Sequence, residues 1–151
     1  MKIKIEVDEN IQEEEVIIRC SEFNNKIQNI QKIITNILTQ KESITFYKNN
    51  TEYYLDLKEI LFFETEESSV NAHTFKDVYK VKYKLYELEE MLPGYFMRIS
   101  KSTILNTSHI YSITRSLSSS SIVEFKGTHK KVYVSRHYYK PLKIKLLEGS
   151  R

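Results

Sequence analysis

From residue 43 to residue 134 the chain is cut into short runs of β-branched and aromatic residues, each bounded by a turn signal. Ile44–Tyr47 and Thr51–Leu55 flank Asn49-Asn50, a dipeptide suited to a tight hairpin because asparagine tolerates left-handed backbone. Ile60–Glu64 is an apolar run. Val70–Phe75 and Val78–Tyr83 flank Lys76-Asp77, a second hairpin. Leu85, Leu88 and Leu92 recur at helical spacing before Pro93-Gly94 stops them. Ile110–Thr114 and Ile122–Phe125 flank the serine run Ser116 to Ser121, and Lys126-Gly127-Thr128 turns into Lys131–Val134. Tyr138, Leu142 and Leu146 place a helix at the end. The 11 Tyr and 7 Phe, against no Trp, fit such a β-rich body, since both rings pack well on a pleated surface.

The first forty residues read differently. Residues 2–7 alternate Lys-Ile-Lys-Ile-Glu-Val, the period of a half-buried strand, and residues 15–19 suit a second one. Ser21 is placed to cap a helix over about 22–40, in which Phe23, Ile27, Ile30, Ile34, Ile37 and Leu38 form one apolar stripe. The expected architecture is mainly β: a β-β-α appendage at residues 1–40, a β domain at 41–147 and a short tail at 148–151.

Composition removes whole classes. No run reaches the ~18 apolar residues of a membrane span, and MKIKIEVDEN lacks the apolar core of a secretion signal. One cysteine, Cys20, cannot make a disulfide framework and follows an apolar run as a small buried hydrophobe would. A cytoplasmic setting is expected. No phosphate-binding glycine loop, HExxH or GxSxG is present. His73, His109, His129 and His137 lie on separate elements, so surface or hydrogen-bonded histidines are expected, with no metal and no cofactor. Glu64, Glu66 and Glu67 read as a solvated acidic turn. Nothing supports catalysis.

Charge is uneven. The whole chain carries +3, but residues 92–151 hold 11 Lys/Arg against 2 Asp/Glu, or +9. A basic end on a nearly neutral chain suits a polyanion, and it also suits a merely solubilising surface. Within that end, Phe96-Met97-Arg98-Ile99-Ser100-Lys101-Ser102-Thr103-Ile104-Leu105-Asn106-Thr107-Ser108-His109-Ile110 sets Arg, Lys, Ser and Asn among apolar residues. Those polar types contact phosphates and read base edges.

This stretch resembles the central signature of the LytTR-type DNA-binding domain of LytR/AlgR-like bacterial regulators. Ile60-Leu61-Phe62-Phe63-Glu64 is similar to that family's strand before the first recognition loop. Residues 85–92 resemble its short helix, and Val134-Ser135-Arg136-His137-Tyr138 its closing motif. The resemblance covers about residues 42–147. It implies a DNA-binding β domain whose loops enter successive major grooves of double-stranded DNA, commonly at paired repeats. Carried over by position, the first loop is residues 65–71, with Ser68, Ser69 and Asn71 as its readers. Lys101 with Ser100 and Ser102 forms the second contact set. Arg136 and His137 open the last helix as the third, and Arg98 is a further candidate. Forty preceding residues are too few for the receiver domain that many such regulators carry, so a stand-alone type is implied, often encoded beside a small membrane protein. A homodimer through the N-terminal appendage would match paired sites. A second reading remains open: a protein-interaction module that presents the amphipathic helix, the basic end serving solubility alone.

Overall fold

Asn49 and Asn50 both adopt positive φ, 51° and 62°, and turn β1 (Phe46–Lys48) directly into β2 (Thr51–Tyr53). A branched residue at either position would pay for the left-handed backbone. The computed structural model describes residues 1–39 and 43–149. It divides into two compact units, residues 1–40 and 41–151.

In the second unit, β3 (Phe62–Glu66) returns as β4 (Ser69–His73), followed by β5 (Val78–Val81), helix α2 (Leu85–Met91), β6 (Phe96–Arg98) and β7 (Thr103–Asn106). With β1 and β2 these strands form one antiparallel sheet in the order β2-β1-β5-β4-β3-β7-β6. A short helical turn at Thr107–His109 leads to β8 (Ile110–Thr114), β9 (Ser121–Phe125) and β10 (Lys131–Val134), a separate antiparallel sheet in the order β10-β9-β8. Helix α3 (Arg136–Gly149) closes the chain.

Strand β3 organises the packing because adjacent side chains leave it on opposite faces. Phe63 joins Phe46, Val70, Ala72, Val81, Leu88 and Ile104 in a core roofed by α2. Phe62 joins Leu105, Val123, Phe125, Val134 and Leu142 in a second core, built from the small sheet and α3. Phe62 stacks on Phe125 with ring centroids 5.7 Å apart. Each ring, at roughly 1.5–3 kcal/mol when fully buried, fastens the sheet to a different layer.

Asn106 joins the elements in another way. It is fully buried; its Nδ2 donates to the Ile60 carbonyl at 2.9 Å, and its Oδ1 accepts from the Ser108 amide at 3.0 Å. Its own amide donates to the carbonyl of Leu61. The side chain therefore caps the turn after β7 and ties it to the entry of β3.

The first unit departs from expectation. Residues 2–7 and 15–19 make no strand; Ile3, Ile5 and Val7 remain 84–91% exposed. Alternation selects a face, but a strand also requires a ladder partner, and none pairs here. Cys20 is accordingly exposed, not buried. The helix, α1, spans Asn25–Thr39 and is capped by Asn24, whose Oδ1 accepts from the Ile27 amide at 3.1 Å, in place of Ser21. Ile27 is buried, whereas Phe23, Ile33, Ile37 and Leu38 stay 59–73% exposed. Residue 40, the expected helix end, lies outside the described residues, as do 150 and 151 of the expected tail; α3 takes in 148 and 149.

Asn106→Ala strands a buried carbonyl and a turn amide. It is expected to cost about 2 kcal/mol, seen as a lower urea midpoint at unchanged slope; a midpoint equal to wild type would show that water replaces the amide without loss.

Candidate nucleic-acid interface

The antiparallel registers bring three separated segments to one end of the second unit. Glu66 pairs with Ser69 at the tip of the β3–β4 hairpin. Glu64 pairs with Thr103, and Arg98 with Ile104, so the loop 99–102 lies at that same end. Main-chain hydrogen bonds then fasten the segments together. Thr65 donates to the Ser102 carbonyl at 2.9 Å, and Ser135, just ahead of α3, donates to the Ile99 carbonyl at 3.0 Å.

The middle loop is held from within. The Ser102 amide donates to Ser100 Oγ at 3.2 Å, closing a tight turn. Arg98 Nε donates to the Ser100 carbonyl at 2.7 Å and its Nη2 to the Lys101 carbonyl, while Nη1 meets Glu89 at 3.5 Å. Arg98 is therefore committed to clamping the loop. Lys101, at the loop's apex, is exposed. Arg136 and His137 are exposed in the first turn of α3, at the positive end of the helix dipole. Leu142 anchors that helix in the second core.

The first of the three segments is a hairpin with a two-residue turn. Glu67 takes φ 57° there, and Ser68 is exposed beside it. Ser69 Oγ is turned toward the Glu66 carbonyl at 3.4 Å. Asn71 faces inward on β4, 8% exposed, with its Nδ2 donating to Glu66 at 2.8 Å. The acidic cluster is not a fully solvated turn: Glu64 is half-buried, and burial, then the charge of Glu66, raises its carboxyl above the usual range. His73, expected on the surface or hydrogen-bonded, stacks on Phe62 at 4.3 Å with both ring nitrogens buried and unpaired. Burial first, then the Lys130 charge, pushes it down to about 4.

Nor is the +9 balance spread over one face. Lys130 donates to the carbonyls of Thr74 and Asp77 at 2.8 and 2.9 Å, Lys145 donates to that of Phe96, and His109 meets that of Lys58. Sequence reasoning missed Arg115 and the serine loop. The β9–β10 register sets Ser121 opposite Val134, which carries both to the end that holds Arg136. Arg115 lies over the Tyr139 ring at 4.8 Å. The signal was the pairing of two runs already visible as strands.

This geometry defines a β-rich domain that presents polar loops and a helix start on one rim. The chain belongs to the LytTr DNA-binding domain family, which matches residues 50–147. A solved LytTr DNA-binding domain from Bacillus cereus has the same fold, with a TM-score of 0.63 at 24% identity over 70% of this chain and 97% of that one. Similar along nearly their whole length are proteins described as uncharacterized HTH-type transcriptional regulators of Staphylococcus aureus. That of strain NCTC 8325 is 29% identical over 97% of this chain and 98% of its own, and that of strain MRSA252 is 28% identical over the same shares. The mainly antiparallel fold expected from the sequence is the one observed.

Glu67 carries both backbone strain and a negative charge at the hairpin tip. Glu67→Gly is expected to raise stability by roughly 0.5–1 kcal/mol, the relief of a left-handed residue less the entropy of glycine. Thermal melting checks it, and a lowered midpoint would mean the tip is held by contacts of the Glu67 side chain.

Proposed function

We propose that this protein is a sequence-specific transcription regulator that reads successive major grooves of double-stranded DNA through the rim described above. The observation that carries this reading is the fastening of the three family loops into one surface by the Ile99 and Ser102 carbonyls. Arg136 is assigned to base reading: its planar fork suits guanine, and it stands on a helix whose position is fixed. Lys101, Ser100, Ser102 and His137 are assigned to phosphates and sugar edges. Ser68 and Ser69 approach the DNA at the hairpin tip. Arg98 and Asn71, from their present bonding, hold the loops and contact no base. DNA as partner implies a cytoplasmic site of action in a bacterium, and among the described residues no helix is long and apolar enough to cross a membrane.

The first unit supplies the second part of the proposal. The exposed face of α1 and the unpaired residues 2–7 present more large apolar side chains than water favours. A two-fold pairing of this unit would cover them and set two DNA-binding units on paired repeats. The competing interaction-module reading uses the same helix but gives the rim no role, so mutations on the rim separate the two.

Binding to DNA from the chain's own upstream region should fall steeply with salt, since each phosphate contact contributes a log–log slope of roughly −0.9. Lys101→Ala should make that slope shallower by about one contact without changing the melting temperature. Arg136→Ala should relax preference at one base pair by about 1–3 kcal/mol. Wild-type affinity and selectivity in both variants would overturn the assignment of the rim. For the dimer, Ile33→Glu with Ile37→Glu, both on the exposed face of α1, should abolish self-association in sedimentation while half-site binding persists. A wild-type monomer at high concentration, on and off DNA, would refute the pairing.

A further inference from the structure

One face of the β3–β4 hairpin gathers polar side chains, three of whose buried atoms have no hydrogen-bond partner. The register sets Glu64 across from Asn71 and Phe62 across from His73, so Glu64, Glu66, Asn71 and His73 project from the same side. One oxygen of each glutamate and a ring nitrogen of His73 all lie within 4.8 Å of one another. The His73 side chain is 12% exposed, and neither ring nitrogen has a hydrogen-bond partner. Glu66 stands 4.0 Å from its Nε2, beyond hydrogen-bond reach. Asn71 brings a second orphan. Its Nδ2 touches Glu66, and the Oδ1 of that same amide is buried without a partner. Asn71 Oδ1 and the His73 ring nitrogens thus lie buried beside two carboxylates without a hydrogen-bond partner among the described residues. We propose that Glu64, Glu66 and His73 bind one divalent transition-metal ion, with Asn71 Oδ1 beside it as a further oxygen donor.

The donor set fits such an ion. Imidazole with carboxylates suits zinc or manganese, whereas calcium and magnesium prefer oxygen alone. Bonds of about 2.0–2.2 Å place tetrahedral ligand atoms roughly 3.4 Å apart. Closing from 4.8 Å asks for a modest side-chain movement, and the Glu66 side chain, 54% exposed, is free to make it. The Lys130 charge opposes a cation here, but it is held on the Thr74 and Asp77 carbonyls and stands against two carboxylates. Glu66 adjoins the two-residue turn, Glu67-Ser68, at the hairpin tip. An ion would cancel negative charge beside the proposed DNA-facing rim and brace β3 against β4. That consequence rests on the DNA-binding reading; the metal site does not.

The test is calorimetric titration of chelator-treated full-length protein with Zn²⁺ and, separately, Mn²⁺. One saturable ion per chain is expected with at least one of the two metals. Glu66→Gln, an exposed and conservative change, and His73→Ala, checked for fold by circular dichroism, should each weaken binding by tenfold or more. His129→Ala should leave it unchanged. No saturable ion with either metal, or wild-type affinity in Glu66→Gln, would overturn the site. In a parallel arm, the ion should tighten binding to the upstream DNA in wild type and have no effect in Glu66→Gln. An ion bound through Glu66 and His73 with no change in DNA affinity would confirm the site and overturn its coupling to DNA.

Discussion

The main chain from Ile99 to Thr103 is the constraint on which the rim depends. The Ile99 amide donates to the Thr103 carbonyl, closing the loop on itself. The Ile99 carbonyl receives Ser135, and that of Ser102 receives Thr65. Each bond is worth only about 1 kcal/mol net. Their effect is geometric: the hairpin tip, the loop and the start of α3 come from distant parts of the chain, yet none can move without breaking a bond to the 99–103 segment. Arg98 adds to this by filling the loop from beneath. Ile99 itself is fully buried in the second core, so the loop is pinned by an apolar anchor as well as by its hydrogen bonds.

Behind the rim, the two cores divide the work. The core under α2 stabilises the large sheet and places the hairpin. The core around Phe62, Leu105, Val134 and Leu142 fixes the small sheet and α3 against that sheet, and so sets where Arg136 stands. At the far end, Lys130 and Thr128 reach the turn between β4 and β5, with Thr128 Oγ1 donating to the Phe75 carbonyl at 3.2 Å. The two sheets are thus joined at both ends. Elements packed this way limit the drift of the side chains they carry, which the proposed groove-reading surface would require.

Much of this was legible from local chemistry. Asn49-Asn50 demanded a tight turn, Pro93-Gly94 ended α2, and the alternating runs from Ile110 to Val134 gave three strands, because each signal acts within a few residues. The residues from Phe96 to Asn106 had a recognisable motif but no assigned elements; their strand character depends on pairing with β3. What failed depended on partners. Residues 2–7 show the alternation of a strand, but periodicity says nothing about whether a ladder exists. Arg98 read as a candidate DNA contact, and only the fold shows that carbonyls of the loop occupy it. Glu64, Glu66 and His73 looked unrelated because nine positions separate the first from the last. The hairpin register that joins them follows from a two-residue turn at Glu67, a residue with no turn signature of its own.

Charge and position therefore carry different information. The +9 of residues 92–151 overstates the basic surface, since Arg98, Lys130 and Lys145 are engaged within the domain. At the rim, Lys101, Arg115 and Arg136 share the space with Glu64, Glu66 and Glu67. A rim of mixed sign attracts a polyanion less than a purely basic one, and the loss falls equally on every sequence, because phosphate attraction carries no base information. On the proposed DNA-binding reading, the acidic hairpin would lower background affinity and leave selectivity to the few side chains assigned to base edges. On the same reading, a glutamate at the hairpin tip would act for discrimination, since it would penalise any complex whose base contacts are too poor to offset it.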